Sequence, residues 1–366
     1  MSYAALIPYA TPGFMAFGLC ALPAGWLADK WSREGVMVIF FIGIGASSIA
    51  TALANTPVQI ALGLFAIGAF AAIYHPVGLA MVVHGREKTG VPLAVNGVFR
   101  NLGVAAAALN TGYFIDTGGW RNAFVLPGII PIGLGVVYAA VVWAGRGQRV
   151  YDRTAKAAAE RSAGGASSVD RAVFVRLFSI IMLTTAIGGI IFQGTTFALP
   201  KVFDERLTEI AGSATAIGGY AFLVFAIAGI AQLYVGYLLD RHSARTVFAF
   251  VAGLQAVFFA IMYQLTGVAA LLVAIAFMLV VFGQIPINDV LVGRITKSEW
   301  RARMYGIRFI LNFTVMASTL PVIAGIHATW GFGMLFVVMA VAASATFAAV
   351  LTLPRTGVTV AQSSTA

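Results

Sequence analysis

A chain of 366 residues that is 60% hydrophobic, only 10% charged and +10 in net charge is too apolar to cover its own surface in water. A mean hydropathy of +0.92 and 40 glycines point instead to helices packed closely in a bilayer. The single cysteine, Cys20, excludes an intrachain disulfide, and basic residues scattered over short loops argue against a nucleic-acid surface.

Crossing the ~30 Å hydrocarbon core takes about 20 apolar residues as a helix. That ruler predicts eleven spans, at 5–28, 36–54, 58–83, 93–114, 122–144, 177–199, 211–239, 246–266, 268–290, 304–326 and 331–353. The apolar runs are continuous rather than alternating, which favours helices over a barrel. The expected fold class is an all-α polytopic membrane protein. It has a bundle of five spans in 1–145, a linker at 146–176, a bundle of six spans in 177–354 and a tail at 355–366. The first half of the linker is charged and Ala-rich, and residues 162–168 read as a flexible connection. Of the 23 lysines and arginines, only Arg121, Lys201 and Arg206 fall on one set of loops and Arg100 lies within a span; all the others lie on the opposite set. That bias predicts a cytoplasmic linker and C-terminus.

The chain also says one thing twice. Gly25-Trp26-Leu27-Ala28-Asp29-Lys30-Trp31-Ser32-Arg33 recurs as Gly236-Tyr237-Leu238-Leu239-Asp240-Arg241-His242-Ser243-Ala244-Arg245, with Asp29 and Asp240 separated by 211 residues. Pro76 with Pro286, Gly97 with Gly306 and Trp120 with Trp330 repeat at offsets of 210, 209 and 210. Two parallel repeats of this kind are an architecture of secondary transporters. The span at 177–199 has no partner one offset earlier, because that partner would precede residue 1. A missing first helix is the expectation, with a natural eleven-span chain as its rival.

At the paired Gly-x-Leu-x-Asp-Arg/Lys loops the chain resembles the major facilitator superfamily, and the resemblance runs through both loops and the Gly119-Trp120-Arg121 turn. Tyr74-His75-Pro76-Val77-Gly78 is similar to the fosmidomycin-resistance-like group of bacterial transporters. The resemblance implies a six-plus-six fold in a bacterial cytoplasmic membrane. It also implies that the loops lock the two bundles when the cytoplasmic side is closed. The latch residues are then Gly25, Asp29, Arg33, Gly236, Asp240, Arg241 and Arg245. A carboxylate at such a helix end can pair with Arg33 or Arg245, or cap a neighbouring helix. The chain departs from the family pattern in two places. The span at 58–83 carries no arginine, and Arg100–Ala108 lacks the proline of the antiporter motif.

Polar groups within the spans are the candidate site. Arg100 lies ~10 Å into its helix, where arginine costs about 2.5–3.5 kcal/mol on insertion scales, so a wet cavity or a polar partner is expected. Arg308 occupies nearly the equivalent place in the second repeat, and the two arginines suit an anionic solute. His75, next to the helix-bending Pro76, is a candidate for proton coupling. Asp289 is a second such candidate, and Gln193, Gln284 and Asn288 complete the expected solute-binding set. Thr195, Thr196, Gln232, Asn96, Asn101 and Asn312 are further polar groups that can line a cavity or bond helix to helix.

No nucleotide loop, Cys/His metal cluster or Ser/His/Asp constellation is legible, so no cofactor, metal or enzymatic activity is expected. The reading is a monomeric, alternating-access carrier of a small organic anion, with protons, the solute and lipid as its partners. Drug efflux is the rival within transport, and a pocket of aromatics drawn from the 27 phenylalanines would favour it. A sensor or scaffold on a transporter fold is the rival from another class, and a membrane-embedded enzyme resting on His75 and Asp289 is a distant third.

Overall fold

The computed structural model describes residues 2–83, 90–145, 171–295 and 298–353, and among them every regular element is a helix. In chain order these are α1 (Tyr3–Lys30), α2 (Arg33–Ala52), α3 (Pro57–Val82), α4 (Gly90–Gly118) and α5 (Asn122–Trp143). Then follow α6 (Arg171–Thr196), the short α7 (Leu199–Arg206), α8 (Ala214–Arg241), α9 (Ala244–Met262), α10 (Gly267–Ile295) and α11 (Ser298–Leu351). Nine stretches of the described residues are long and apolar enough to cross a membrane. One of them, Ile307–Leu351, covers two of the expected spans and is interrupted at Gly331, whose φ of 71° leaves the helical region.

The helix starts obey local chemistry. Ser32 Oγ accepts from the Gly35 amide at the head of α2, and Ser243 Oγ accepts from the Thr246 amide at the head of α9. The same cap therefore serves both copies of the repeated loop. Thr56 and Gln59 close a reciprocal capping box before α3, with Pro57 in the first turn. The helix α6 begins at Arg171, inside the expected linker. Arg176 donates to the Thr352 carbonyl at 3.1 Å, so a charged residue that an apolar ruler excludes is held as helix. The rest of that linker, residues 146–170, and the tail at 355–366 lie outside the described residues, as do many of the cations that oriented the chain.

The chain divides into two compact units. Unit 1 holds Met1–Arg100, Asn110–Ser162 and Ser213–Thr215, and unit 2 holds Asn101–Leu109, Ala163–Gly212 and Ala216–Ala366. In unit 1 the packing depends on missing side chains. A Cβ on Gly68 of α3 would stand 2.0 Å from the Gly13 carbonyl oxygen of α1, and one on Gly45 of α2 would stand 2.4 Å from the Gly128 oxygen of α5. Backbones this close are the contact that small residues permit within a bilayer, where dispersion replaces the hydrophobic effect between helices. Asp116, at the end of α4, accepts from the Ala214 and Thr215 amides at 3.2 and 2.7 Å and from the Thr215 hydroxyl at 2.6 Å. Those hydrogen bonds hold its carboxyl below the ordinary aspartate value.

Unit 2 has the larger buried core. Phe259, Phe277 and Phe336 pack with centroids 5.3, 6.4 and 5.7 Å apart, and all three are fully buried. Phe203, Phe248 and Phe282 are fully buried as well. These rings fill space between helices.

Candidate functional site

In unit 1 the repeated loop and the His75 turn meet. The helix α3 opens into a π-helical turn over Tyr74–Gly78, a wider winding that Pro76 favours by removing one backbone donor. A Cβ on Gly25 of the loop helix would lie 3.3 Å from the Pro76 ring, so the missing side chain at Gly25 eases the approach of α1 to this turn. His75 is half-buried, edge-on to Phe17 at 5.4 Å and to Tyr74 at 5.8 Å. Asn96 of α4 donates to the Tyr74 hydroxyl at 2.6 Å and ties the turn to the helix that carries Arg100. Arg100 is half-buried and within electrostatic reach of His75. The structure thus gathers His75, Arg100 and Asn96 around one turn.

The two copies of the loop differ. Asp29 near the end of α1 pairs with Arg33 at the start of α2 at 2.9 Å, across the loop between the two helices. Among the described residues Asp240 has no ion pair, Arg241 lies 4.3 Å over the Tyr237 ring, and Arg245 is half-buried at the start of α9. Among the described residues no atom lies within 4 Å of where a Cβ on Gly236 would stand.

In unit 2 the polar groups converge on one stretch of α10. Arg308 of α11 donates to Asp289 at 2.5 Å, with the guanidinium side chain only 16% exposed and the carboxylate side chain 55% exposed. Asn288 directly precedes Asp289, and Gln284 shares a helix face with Asn288 at i and i+4. Both are buried. Gln284 Nε2 and Asn288 Oδ1 have no hydrogen-bond partner among the described residues. They stand over Gly188 of α6, where a Cβ would be 2.9 Å from Gln284 Nε2 and 4.0 Å from Asn288 Nδ2. Next to it, Gly189 faces Asn312 Oδ1 at 3.0 Å by the same measure, and Asn312 donates to the Met316 sulfur. Gln255 of α9 bonds to Gln284 at 2.8 Å and is fully buried. Gln255 is absent from the sequence-based candidates, yet an amide in the middle of the apolar run at 246–266 is a legible signal. Gln193 is buried with its Nε2 unpartnered among the described residues, as is that of Gln232. Thr195 and Thr196 instead bond carbonyls of their own helix, and Asn101 is buried in unit 2, within reach of Gly229. Arg308, expected to face a solute, is engaged by Asp289.

Two units of apolar helices and the paired loops point to a family, and the comparison gives it. The model described as Major Facilitator Superfamily matches residues 4–229. This chain belongs to that superfamily. It is an integral membrane protein of a family of transporters. It is 27% identical over 126 residues to a probable hexose phosphate transport protein of Chlamydia pneumoniae, covering 34% of this chain and 28% of that protein. It is 26% identical over 299 residues to the 4-hydroxybenzoate transporter of Pseudomonas putida, covering 73% of this chain and 65% of that protein. The chain therefore spans less than two thirds of either curated relative. Among solved structures it superposes on a D-xylose–proton symporter with a TM-score of 0.73 at 15% identity, covering 97% of this chain and 90% of that one. That likeness concerns the fold.

Proposed function

We propose that this member of the superfamily carries a small organic anion across a bacterial cytoplasmic membrane by alternating access, coupled to protons. The carrying observation is the Arg308–Asp289 pair, a mostly buried guanidinium held at 2.5 Å by a more exposed carboxylate. An anionic solute and Asp289 compete for the same guanidinium. A proton on Asp289 removes the competitor, so proton and anion bind with positive coupling, and linkage makes that coupling reciprocal. The unpartnered amides of Gln284 and Asn288 beside the pair supply neutral contacts to the solute, and Gln193 is a further polar group on α6. In unit 1, Arg100 offers a second cation and His75 a second titratable group. The repeated loops act as the latch, closed by the Asp29–Arg33 pair in the first copy and carried by Asp240, Arg241 and Arg245 in the second. In this reading the loops and the C-terminus are cytoplasmic and the chain works as a monomer.

The named cargo of the Pseudomonas putida relative is an organic anion, and the name of the solved symporter includes a proton; both support the reading. Drug export has the Tyr74–Gly78 resemblance in its favour, but Phe259, Phe277 and Phe336 of unit 2 are packed against one another.

The test is uptake of 4-hydroxybenzoate into proteoliposomes under an imposed proton gradient. Asp289→Asn is expected to keep anion exchange and lose gradient-driven accumulation, and Arg308→Ala is expected to lose both. Accumulation by Asp289→Asn at the wild-type level would exclude Asp289 as the coupling group.

A further inference from the structure

Unit 2 carries a second charged cluster, at the end opposite its copy of the repeated loop. The helix α9 starts at that loop and ends at Met262, whose carbonyl accepts from Arg206 of α7. The short α7 is amphipathic. Leu199, Val202 and Phe203 are buried at i, i+3 and i+4, while Lys201, Asp204 and Glu205 are partly exposed. Two neighbouring residues fasten the end of this helix, by different chemistry. Arg206 donates to the Met262, Tyr263 and Leu265 carbonyls. A guanidinium stays charged and a backbone carbonyl does not titrate, so that tie is indifferent to pH. Glu205 Oε1 lies 3.0 Å from His327 Nε2 of α11, one turn before the break at Gly331. The imidazole also rests against Phe332, with ring centroids 4.3 Å apart. A carboxylate only accepts, so Nε2 carries the hydrogen and a second proton enters at Nδ1.

We infer that α7 is a strap hinged at Arg206 and fastened by a proton on His327, so that acidity at this face of the membrane holds it down. With the ring neutral, His327 offers Glu205 an uncharged donor. A proton adds a full positive charge beside the carboxylate and makes the contact an ion pair. The fastened strap then binds the proton more tightly than the released one, and linkage requires that acid fasten it. The fastening is complete at acid pH and fades as pH rises through the range where histidines change charge, about 5 to 8. Release strands no carboxylate, because Lys201 Nζ stands 3.7 Å from the same Glu205 oxygen on the same helix. The Asp204 hydrogen bond keeps that ammonium charged by raising its pKa above the ordinary value. Arg206 is a further charge near Glu205, and Glu209 stands over Gly267 at the head of α10. No charged residue lies between Arg245 and Asp289 on α9 and α10, and His327 is the sole titratable side chain between Arg308 and Arg355. The other histidine of unit 2, His242, is at the loop end. The proton response of this end therefore belongs to His327.

The experiment is hydrogen–deuterium exchange of the purified full chain in detergent at pH 5.5 and pH 8. It is read on peptides covering residues 199–207 and corrected for the intrinsic exchange rate at each pH. Such exchange reports local opening while the rest of the molecule stays folded. In the wild type the α7 amides should open about twofold to fivefold more at pH 8, the factor that a partly exposed ion pair contributes. His327→Gln keeps a donor but cannot take up a proton, so its opening should be the same at both pH values. Glu205→Gln should lose the pH response as well, because the imidazole then titrates with no carboxylate beside it. If His327→Gln does not fold, Glu205→Gln supplies the comparison.

Equal opening of the wild type at the two pH values, or opening that falls as pH rises, overturns the inference. So does a variant that opens more at both pH values and keeps the wild-type ratio, since His327 and Glu205 would then be packing residues only. The assay uses no solute, so its outcome is independent of the anion reading.

Discussion

Replacing Arg206 by alanine should cost unit 2 about 2–3 kcal/mol, and the structure shows where that figure comes from. Arg206 ends α7 and closes the C-terminal end of α9. Its guanidinium donates to the Met262 carbonyl, to the Tyr263 carbonyl at 3.0 Å and to the Leu265 carbonyl at 3.3 Å. It also lies 5.1 Å over the Phe336 ring. A hydrogen bond from a charged donor contributes about 1.5–3 kcal/mol, and a cation over a ring about 0.5–1 kcal/mol at an exposed site. The contributions do not add, because water reaches part of the freed helix end in the variant.

Arg121 performs the same office in unit 1, donating to the Ala52 and Ala54 carbonyls at 3.0 and 3.1 Å and to the Asn55 side chain at 3.1 Å. Ala52 and Ala54 stand one repeat, 211 residues, before Tyr263 and Leu265. The two halves thus offer the same helix end to arginines from different loops. Arg121 is exposed, whereas Arg206 is half-buried and burial lowers its pKa from the ordinary value. Arg121→Ala should accordingly cost less, about 1 kcal/mol. Unfolding of each variant in mixed detergent and SDS, followed by tryptophan fluorescence, measures both. A loss in Arg206→Ala no larger than in Arg121→Ala, or below about 0.5 kcal/mol, would refute the reasoning.

Gly68→Ala places a methyl group 2.0 Å from a backbone oxygen, so α1 and α3 must separate; a loss of about 3 kcal/mol or no folded protein is expected. Gly103→Ala, with none of the described residues within 4 Å of its new methyl, should be neutral or gain about 0.5–1 kcal/mol in helix propensity, and thermal melts in detergent compare the two. Asp116→Ala should lower the melting temperature by an amount that stays constant between pH 5 and 8. The folded carboxyl lies below its ordinary value of 3.8, so its contribution is complete above that value and fades as pH falls through the lower folded one. A deficit that grew with acidity would contradict that sign. Asp289→Asn and Arg308→Ala should separate coupling from binding in the transport assay given above.

Much of the architecture is legible in one dimension. The bilayer imposes a length and an apolarity on each helix, and both can be read along the chain without knowing what packs against what. The repeat is legible for the same reason, down to Ser32 and Ser243, which cap equivalent helices because a cap is a contact across three residues. His75, Arg100, Arg308, Asp289, Gln284 and Asn288 stood out as polar groups inside apolar runs, where they are costly.

What the sequence could not reveal is which of those groups face one another. Each residue turns a helix by about 100°, so a list of polar positions leaves the rotation and depth of every helix open. Only the tertiary structure set Arg308 on Asp289, placed His75 in a π-turn tied to Asn96, and brought Gln255 of a different helix against Gln284. The span lengths are a bargain between a chain and its solvent. The partners of an amide or a guanidinium are set by packing between helices far apart in sequence.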